Sequence, residues 1–319
     1  MMKPPPTDLN GLLRMRSELI AEGLTDNQIA RLVRGKVLHR VRQGAYAPYD
    51  AWSALTEEDR HRLLARAVLR TAHATTALTH HSSVLERQVA VWGLPLGAVH
   101  TTQRARRKAG RRVDDWVPHR SKLLDTEVEE RNGVWVSRAP RAAVEVCSIT
   151  TVEPALVVVN GLLRAREMTL EEFAEHASLC RLWPGSLTTD IVLRLADPRL
   201  ESVGEDRFAY LCYRQSLPKP EPQVEVFDEH GQLVGRVDFA WPEHGVFVEF
   251  DGRVKYEKFR LSGETLDEFL MREKRREELI CQLTGWTCIR VAWADLARPE
   301  LLAARIRRLL DVRSAKTVG

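Results

Sequence analysis

The chain has 319 residues and carries 48 Lys and Arg against 44 Asp and Glu, a formal net charge of +4. At roughly 150 residues per domain, this length predicts two or three domains. The longest aliphatic run, Ala155 to Val159, is far shorter than the roughly 20 residues of a membrane span, and the first residues lack the apolar segment of a signal peptide. We therefore expect a cytoplasmic protein with no membrane partner.

The charge is unevenly distributed along the chain. Residues 1–120 contain 20 Lys and Arg against 11 Asp and Glu, whereas the remaining residues contain 28 against 33. A basic N-terminal region indicates contact with a polyanion, and the alternative is a protein that is simply rich in arginine. The five cysteines form no C-x-x-C pair, which argues against a disulfide framework and a structural zinc site.

The front end has the pattern of a small helical domain. Apolar residues over 11–22 follow helical spacing and predict a first helix, and Thr25 with Gln28 fits a capping box at the start of a second. Alternating residues from Val37 onward predict a β-hairpin. Helix, short turn, helix and basic hairpin make a winged helix-turn-helix over residues 1–50, whose second helix enters a DNA major groove.

Five cations lie within twelve residues of the second helix and the hairpin. The candidate DNA contacts are Arg31, Arg34, Lys36, Arg40 and Arg42. A helix pair with a hairpin also occurs as a protein-docking module, but the clustering of cations favours DNA. The stretch GLTDNQIARLVRGKVLHRVRQGAYA resembles the N-terminal winged helix of AbiE-type antitoxins, and this resemblance implies a DNA-binding role.

Residues 51–195 are predicted to form a mainly helical connector, which a linker around Trp183 to Asp190 closes. The stretch LTHHSSVLERQVAVWGLPL continues the resemblance to AbiE-type antitoxins and contains two adjacent histidines, His80 and His81. Neighbouring residues on a helix point in different directions, so capping or core roles are favoured for them over metal binding.

Residues 196–319 give an ordered series of predicted elements. A helix over LESVGEDRFAYLCYRQSL precedes two strands in QVEVFDEHGQLVGRVDFAW and a third in GVFVEF. A long helix, TLDEFLMREKRREELICQLTG, then precedes a fourth strand and a closing helix. The sum predicts an α/β protein whose last part has the order α-β-β-β-α-β-α.

Three carboxylates lie close together in the predicted strand pair GRVDFAWPEHGVFVEFDG. Alternate residues of a strand share a face, so Glu249 and Asp251 point the same way, and Asp238 lies near the end of the preceding strand. If the strands pair, these like charges converge and require a cation. Oxygen ligands suit Mg²⁺ or Mn²⁺, which polarises a phosphodiester and activates a bound water. The alternative is a set of solvent-facing acids on an edge hairpin.

A nearby lysine would position that water or neutralise the phosphate, and two candidates follow the acids in sequence. Lys255 lies four residues beyond Asp251, and Lys274 lies on the long helix. At about 100° per residue, the apolar pattern predicts that Lys274 faces inward and Arg276 outward.

The strand order, the spacing D-x10-E-x-D-G and the later GW-x3-R-x2-W-x-DL resemble the PD-(D/E)XK nuclease superfamily, and within it the very-short-patch-repair-like endonucleases. The resemblance implies a restriction-endonuclease-like α-β-β-β-α-β core in which Asp238, Glu249 and Glu205 are the metal ligands. Asp251 stands where the motif has lysine, so the role of that lysine moves elsewhere. The catalytic candidates are Asp238, Glu249, Asp251, Lys255, Glu205 and Lys274.

Together these observations predict a DNA-binding protein with a Mg²⁺-dependent endonuclease domain that hydrolyses DNA phosphodiesters. The resemblance implies a setting in phage defence or a toxin-antitoxin-like system. The alternative is a non-enzymatic AbiE-type antitoxin or transcriptional regulator with an inactive nuclease fold, which the missing lysine favours. RNA is an alternative substrate, because the motif does not distinguish ribose from deoxyribose. The predicted partners are DNA, a cognate toxin and a second copy of the chain.

Overall fold

The computed structural model describes residues 8–104, 113–251 and 264–317, with the backbone alone described at Asp251 and at residues 313–317. Within this part of the chain, helices alternate with strands that form three sheets, and the predicted α/β class is confirmed. The chain divides into two compact units, with the boundary between Arg194 and Leu195. The boundary predicted after residue 195 lies one residue away, whereas the one predicted after residue 50 falls inside the first unit. No helix among the described residues is long and apolar enough to cross a membrane.

The first unit begins with three helices and a three-stranded sheet. Their bounds are α1 (Leu9–Leu12), β1 (Arg14–Met15), α2 (Arg16–Ala21), α3 (Asp26–Arg34), β2 (Leu38–Arg42) and β3 (Ala45–Pro48). β3 lies between β1 and β2 and is antiparallel to both. The predicted second helix and hairpin are therefore present as α3, β2 and β3, and Thr25 and Gln28 form the predicted capping box.

The prediction of a single first helix over 11–22 is wrong. Leu13 is extended, with φ −85° and ψ 126°, and β1 then pairs with β3. Leu13 is also buried, with an exposed fraction of 2%. The helical spacing of apolar residues is real, but strand pairing and burial override this local signal and divide the segment into α1, β1 and α2.

The rest of the first unit combines helices with a five-stranded sheet. Its helices are α4 (Tyr49–Ala54), α5 (Glu57–Leu69), α6 (His80–Leu85), α7 (Ala139–Cys147), α8 (Val152–Arg164), α9 (Leu170–Leu179) and α10 (Ser186–Leu195). Its strands are β4 (Thr76–Leu78), β5 (Val99–Gln103), β6 (Trp116–His119), β7 (Val128–Arg131) and β8 (Val134–Ser137). The sheet order is β6-β5-β4-β8-β7.

The expectation of a mainly helical connector missed this sheet. β4 has three residues, all buried, and the other four strands have four or five. Runs this short do not show the alternation by which a strand is recognised, and their pairing joins distant parts of the chain. The predicted linker around 183–190 is also wrong from Ser186 onward, where α10 begins.

The second unit contains a four-stranded sheet between helices. Its elements are α11 (Val203–Arg214), β9 (Glu221–Phe227), β10 (Leu233–Trp241), β11 (Val246–Asp251), α12 (Leu266–Thr284), β12 (Thr287–Ala292), α13 (Trp293–Leu296) and α14 (Pro299–Thr317). β9, β10 and β11 are antiparallel neighbours, and β12 pairs parallel to β11, giving the order β12-β11-β10-β9. α12 lies on the crossover that a parallel pair requires. The predicted order of elements is confirmed, with the short α13 added.

Apolar side chains cover both faces of this sheet. Phe239 and Val248 share a core cluster with Phe208 of α11. Ala240 and Phe247 share another with Ile280 of α12. The register pairs Phe239 with Val248 and Ala240 with Phe247, so successive pairs face opposite helices.

Candidate functional site

Two predicted metal ligands, Asp238 of β10 and Glu249 of β11, lie on neighbouring strands where the pairing of these strands ends. Phe239 pairs with Val248, and Asp238 and Glu249 are the residues next to this last pair. Both are nearly buried, with exposed fractions of 7% and 9%. The amide of Phe250 donates to Asp238 Oδ2 at 2.7 Å. Each buried carboxylate needs hydrogen-bond donors or cations around it.

A cation of α12 reaches this acid pair. Arg276 Nη2 donates to Glu249 Oε1 and to Glu273 Oε2, each at 3.0 Å, and Nη1 donates to the carbonyl of Arg236 at 3.2 Å. Burial lowers the pKa of the Arg276 guanidinium, but the charges of Glu249 and Glu273 outweigh burial and raise it. Arg276 therefore keeps its charge and compensates Glu249.

The predicted inward face of the long helix is wrong by one residue. Phe269 and Ile280 are its buried residues, and they share a face with Arg276. Lys274 lies on the outside of α12, with a side chain that is 68% exposed and an Nζ 3.9 Å from Glu278. A shift of one residue turns a helix by about 100°, which is enough to exchange Lys274 and Arg276.

Glu205, the third predicted ligand, lies in the first turn of α11, whose N-cap is Ser202. Ser202 Oγ donates to Glu205 Oε1 at 2.6 Å and accepts from the Glu205 amide at 3.2 Å. Glu205 Oε2 accepts from the amide of Glu201 and from Gln223 Nε2, each at 2.8 Å. With 1% of its surface exposed, Glu205 joins α11 to β9. These contacts satisfy hydrogen-bonding groups of a buried acid at this position.

The three acids do not form one compact ligand set. In the part of the chain that the structure describes, the one group of three or more His, Cys, Asp or Glu whose ligand atoms lie within 4.8 Å of one another consists of histidines in the first unit. Asp238 and Glu249 still fit Mg²⁺ as a pair, because this ion usually takes one or two carboxylates and completes its shell with water and substrate phosphate. The side chain of Asp251 and the whole of Lys255 lie outside the described residues.

The predicted DNA contacts divide into exposed cations and one that is engaged within the protein. The exposed ones are Arg31, Arg34, Lys36 and Arg40. Arg42 Nε lies 3.1 Å from Asp115 Oδ2, and only 13% of the Arg42 side chain is exposed. Arg42 Nη1 also donates to Thr71 Oγ1 at 3.4 Å. Arg42 therefore does not belong to the exposed set.

A cluster of histidines in the first unit was predicted only in part, because the sequence indicated capping or core roles for His80 and His81 and no role for the others. Its members are His61, His80, His81, His100 and His119. The rings of His80 and His119 stack with centroids 3.8 Å apart, and His119 Nε2 lies 2.9 Å from His100 Nδ1. His100 and His119 come from β5 and β6, two strands that were not predicted. The signal that could have found them is one histidine in each of two short β-rich segments, VHTTQ and WVPH.

Burial keeps the inner histidines of this cluster uncharged. Burial, reinforced by the charges that His119, His100, His81 and Arg141 would place beside it, holds the pKa of His80 well below its ordinary value of 6.5. Burial, with smaller effects of neighbouring histidines, lowers the pKa of His81 to about 2. At neutral pH both rings are therefore uncharged.

Comparison with known proteins gives relatives without a described activity. No protein-family model matches the chain. Two proteins of Mycobacterium tuberculosis are similar to it, Uncharacterized protein MT2308 of strain CDC 1551 / Oshkosh and Uncharacterized protein Rv2248 of strain ATCC 25618 / H37Rv. Each is 30% identical over 170 residues, which is 53% of this chain and 59% of the relative. The chain thus spans less than two thirds of the length of the relatives it matches.

Proposed function

We propose that the second unit is a metal-dependent nuclease domain that hydrolyses DNA and that the segment from α1 to β3 binds DNA. The observation that carries this proposal is the buried pair Asp238 and Glu249 at the end of the β10 and β11 pairing. A sheet in the order β12-β11-β10-β9, with α12 on its parallel crossover, supports it further. Both features accord with the resemblance of the sequence to the PD-(D/E)XK superfamily.

In this proposal Asp238 and Glu249 hold the cation, and the Phe250 amide fixes the direction of the Asp238 carboxylate. When bound, Mg²⁺ or Mn²⁺ supplies polarisation of the phosphodiester and a lower pKa of an attacking water. Glu205 acts as a positioning residue, because its contacts with Ser202 and Gln223 hold α11 against β9.

Arg276 limits how this site can work. A guanidinium stays protonated in proteins, so Arg276 cannot accept a proton from water. It can hold phosphate oxygens through two N–H groups. The proton acceptor must therefore be another group, for which the sequence offers Asp251 and Lys255. Lys274 has no part in the proposal because its exposed side chain lies beside Glu278.

For DNA binding, α3 and the β2–β3 hairpin form the proposed winged helix-turn-helix. Arg31 and Arg34 lie in the last turn of α3, and Lys36 and Arg40 follow on the way into the hairpin and along it. These exposed cations neutralise phosphates and release counterions, which makes binding strongly dependent on salt. The helix enters a major groove and the hairpin follows the backbone.

One observation favours a second candidate, a non-enzymatic AbiE-type antitoxin or transcriptional regulator. The permanent positive charge of Arg276 lies beside Glu249, with Arg276 Nη2 at 3.0 Å from Glu249 Oε1. A buried acid that is paired and hydrogen-bonded in this way is stable without a metal ion. The second unit would then bind DNA or a partner protein without cutting.

Cleavage of DNA by the full chain separates the two candidates. Plasmid and oligonucleotide DNA, with RNA in parallel, are incubated with wild type, Asp238→Asn or Glu249→Gln in Mg²⁺ or Mn²⁺. Each substitution removes a negative charge with little change of shape. Glu278→Gln is the matched control, because Glu278 is an exposed carboxylate on the same helix as Arg276.

We expect metal-dependent cutting by wild type and by Glu278→Gln. We expect the cleavage rate of each acid variant to fall by more than about 100-fold. Even residues that only hydrogen-bond to metal ligands contribute about 10- to 100-fold to activity. Cutting that survives in both acid variants rules out the nuclease assignment. DNA binding by wild type with no cutting of any substrate supports the non-enzymatic candidate instead.

A further inference from the structure

We propose that His80, His100 and His119 of the first unit bind a divalent transition-metal ion of the kind that prefers imidazole, with Zn²⁺ as the reference ion. His80 begins α6, His100 lies on β5 and His119 ends β6. One ring nitrogen from each lies within 4.8 Å of the other two. Three imidazoles around one point form a zinc ligand set that keeps a fourth position for water. The proposal is independent of the nuclease assignment.

Parallel pairing of β5 with β6 brings two of the ligands together. His100 pairs with Val117, and Thr102 pairs with His119, so the two histidines lie on one face, two residues apart in register. His119 Nε2 and His100 Nδ1 are 2.9 Å apart. With Zn–N bonds of about 2.0–2.1 Å, a tetrahedral angle separates two nitrogens by about 3.3 Å. A small rotation of either ring therefore opens the pair enough to admit an ion.

His80 completes the set from a fixed position. Its φ of +55° is uncommon for a residue with a β-carbon, and its amide donates to Glu145 Oε2 at 3.0 Å. Its Nδ1 lies 3.0 Å from Thr79 Oγ1. A partner at one nitrogen fixes the tautomer of a metal-binding histidine, so Nε2 is the nitrogen that would face the ion.

The stack between His80 and His119 must open when the ion binds. The planes of the two rings are 22° from parallel. Lone pairs lie in the ring planes, and those of stacked rings do not meet at one point, so one ring has to turn. His119 is the partly exposed partner of this stack, whereas His80 has 4% of its surface exposed. The inference therefore includes a rotation of the His119 ring.

The surroundings provide access and support. His100 and His119 are both partly exposed, which gives an ion a path from solvent. Hydroxyl groups anchor the backbone and side chains behind the rings. Ser82 Oγ accepts from the His100 amide at 2.9 Å, and Thr79 Oγ1 lies 3.2 Å from Thr102 Oγ1. The competing account is a hydrogen-bonded cluster of core histidines that binds no ion.

Titration of tag-free, chelator-treated full chain tests the proposal. We expect binding of one Zn²⁺ per chain by calorimetry, and Co²⁺ absorption bands typical of four-coordinate geometry. His100→Gln and His119→Gln keep a hydrogen-bonding side chain and should each weaken Zn²⁺ binding by more than about 100-fold. Thr79→Val, which removes the partner of His80 Nδ1, should weaken it by about 10- to 100-fold. His73→Gln, a change at an exposed histidine of the same unit, should leave it unaltered.

Circular dichroism and thermal unfolding establish whether each variant is folded. If the histidine variants do not fold, X-ray absorption of the Zn²⁺-loaded wild type decides, with three imidazole ligands expected. Three results would each overturn the proposal: no stoichiometric binding by wild type, unchanged binding by both folded variants, or fewer than three imidazoles at the ion.

Discussion

Glu86 pairs with two of the buried arginines of the first unit, Arg62 and Arg66. Its side chain has no exposed surface and accepts from Arg66 Nη1 at 2.7 Å and from Arg62 Nη2 at 3.4 Å. Asn132 Nδ2 donates to Glu86 Oε2 at 2.9 Å. The Arg62 and Arg66 side chains are only 6% and 4% exposed, so water cannot solvate their guanidinium groups in place of Glu86. Loss of this carboxylate would take the paired charge away from the buried Arg66, whereas Arg62 would keep Asp59 at 2.9 Å.

We expect Glu86→Gln to lower the free energy of unfolding by about 3–5 kcal/mol, the usual result when one partner of a buried pair is removed. Urea unfolding followed by circular dichroism measures this change. Glu22→Gln is the control, because Glu22 pairs with Arg14 at an exposed site where ion pairs contribute little. Equal effects of the two substitutions would contradict the role given to Glu86.

The same residue predicts acid sensitivity. Burial raises the pKa of Glu86, but the hydrogen bond and charge of Arg66, with Asn132 and Arg62, outweigh burial and bring the pKa below 4.5. A carboxyl whose pKa is lower when folded contributes stability above its unfolded pKa and loses it as pH falls through the folded value. Below pH 4.5, the melting temperature should therefore fall less steeply in Glu86→Gln than in wild type. If the melting temperatures of the two proteins fall equally with pH, groups other than Glu86 cause the acid sensitivity.

At the scale of elements, α11 contacts β11 through a glycine. A β-carbon at Gly204 would lie 2.3 to 2.7 Å from three atoms of the Phe250 ring. Phe250 has 4% of its surface exposed, and its amide holds Asp238. A side chain at position 204 must therefore displace the ring of Phe250, which lies next to Glu249 on β11.

We expect Gly204→Ala to destabilise the protein. Alanine gains about 1 kcal/mol of helix propensity over glycine, but overpacking of a core costs about 1–3 kcal/mol. The urea midpoint should fall, in contrast to Gly97→Ala, where the added β-carbon meets no atom within 4 Å. A higher midpoint for Gly204→Ala would show that the ring of Phe250 moves aside freely.

The elements that the sequence predicts are those with enough residues to show a period. α3 and α12 have capping boxes and helical spacing, and β10 and β11 are joined by a short turn, so Asp238 and Glu249 could be placed together. The sequence could not predict which side of α12 faces inward, because this is set by the sheet face that Ile280 contacts. The sequence could not predict the histidine cluster around His100 either, because β4 to β8 are short and pair with strands far away along the chain.

At the scale of the whole chain, each unit carries one part of the proposed function. The exposed cations of α3 lie in the first unit, and the acid pair lies in the second. If both parts act on the same DNA, loss of the cations should affect binding and not the chemical step. The kinetics of cleavage can separate these two effects.

We expect the double variant Arg31→Ala with Arg34→Ala to raise KM for DNA and leave kcat unchanged. The slope of log K against log salt should become shallower by about 2, since each lost phosphate contact changes it by about 1. DNA anisotropy measures this slope even if no cutting occurs. Arg181→Ala, a change at an exposed arginine of the same unit, should change neither quantity. Unaltered binding by the double variant would place the DNA site elsewhere.

In the proposed metal site, the ion pair between Arg276 and Glu249 would make cation binding depend on the charge of the cation. An ion that binds Glu249 must compete with a guanidinium that already carries one positive charge. Na⁺ or K⁺ would replace one charge by another and lose a hydrogen bond, so the exchange brings no net electrostatic gain. A divalent ion adds a further positive charge beside Asp238 and Glu249, where low exposure strengthens the attraction. Under the proposal, Arg276 would thereby disfavour abundant monovalent ions at this site and still allow divalent ions to bind.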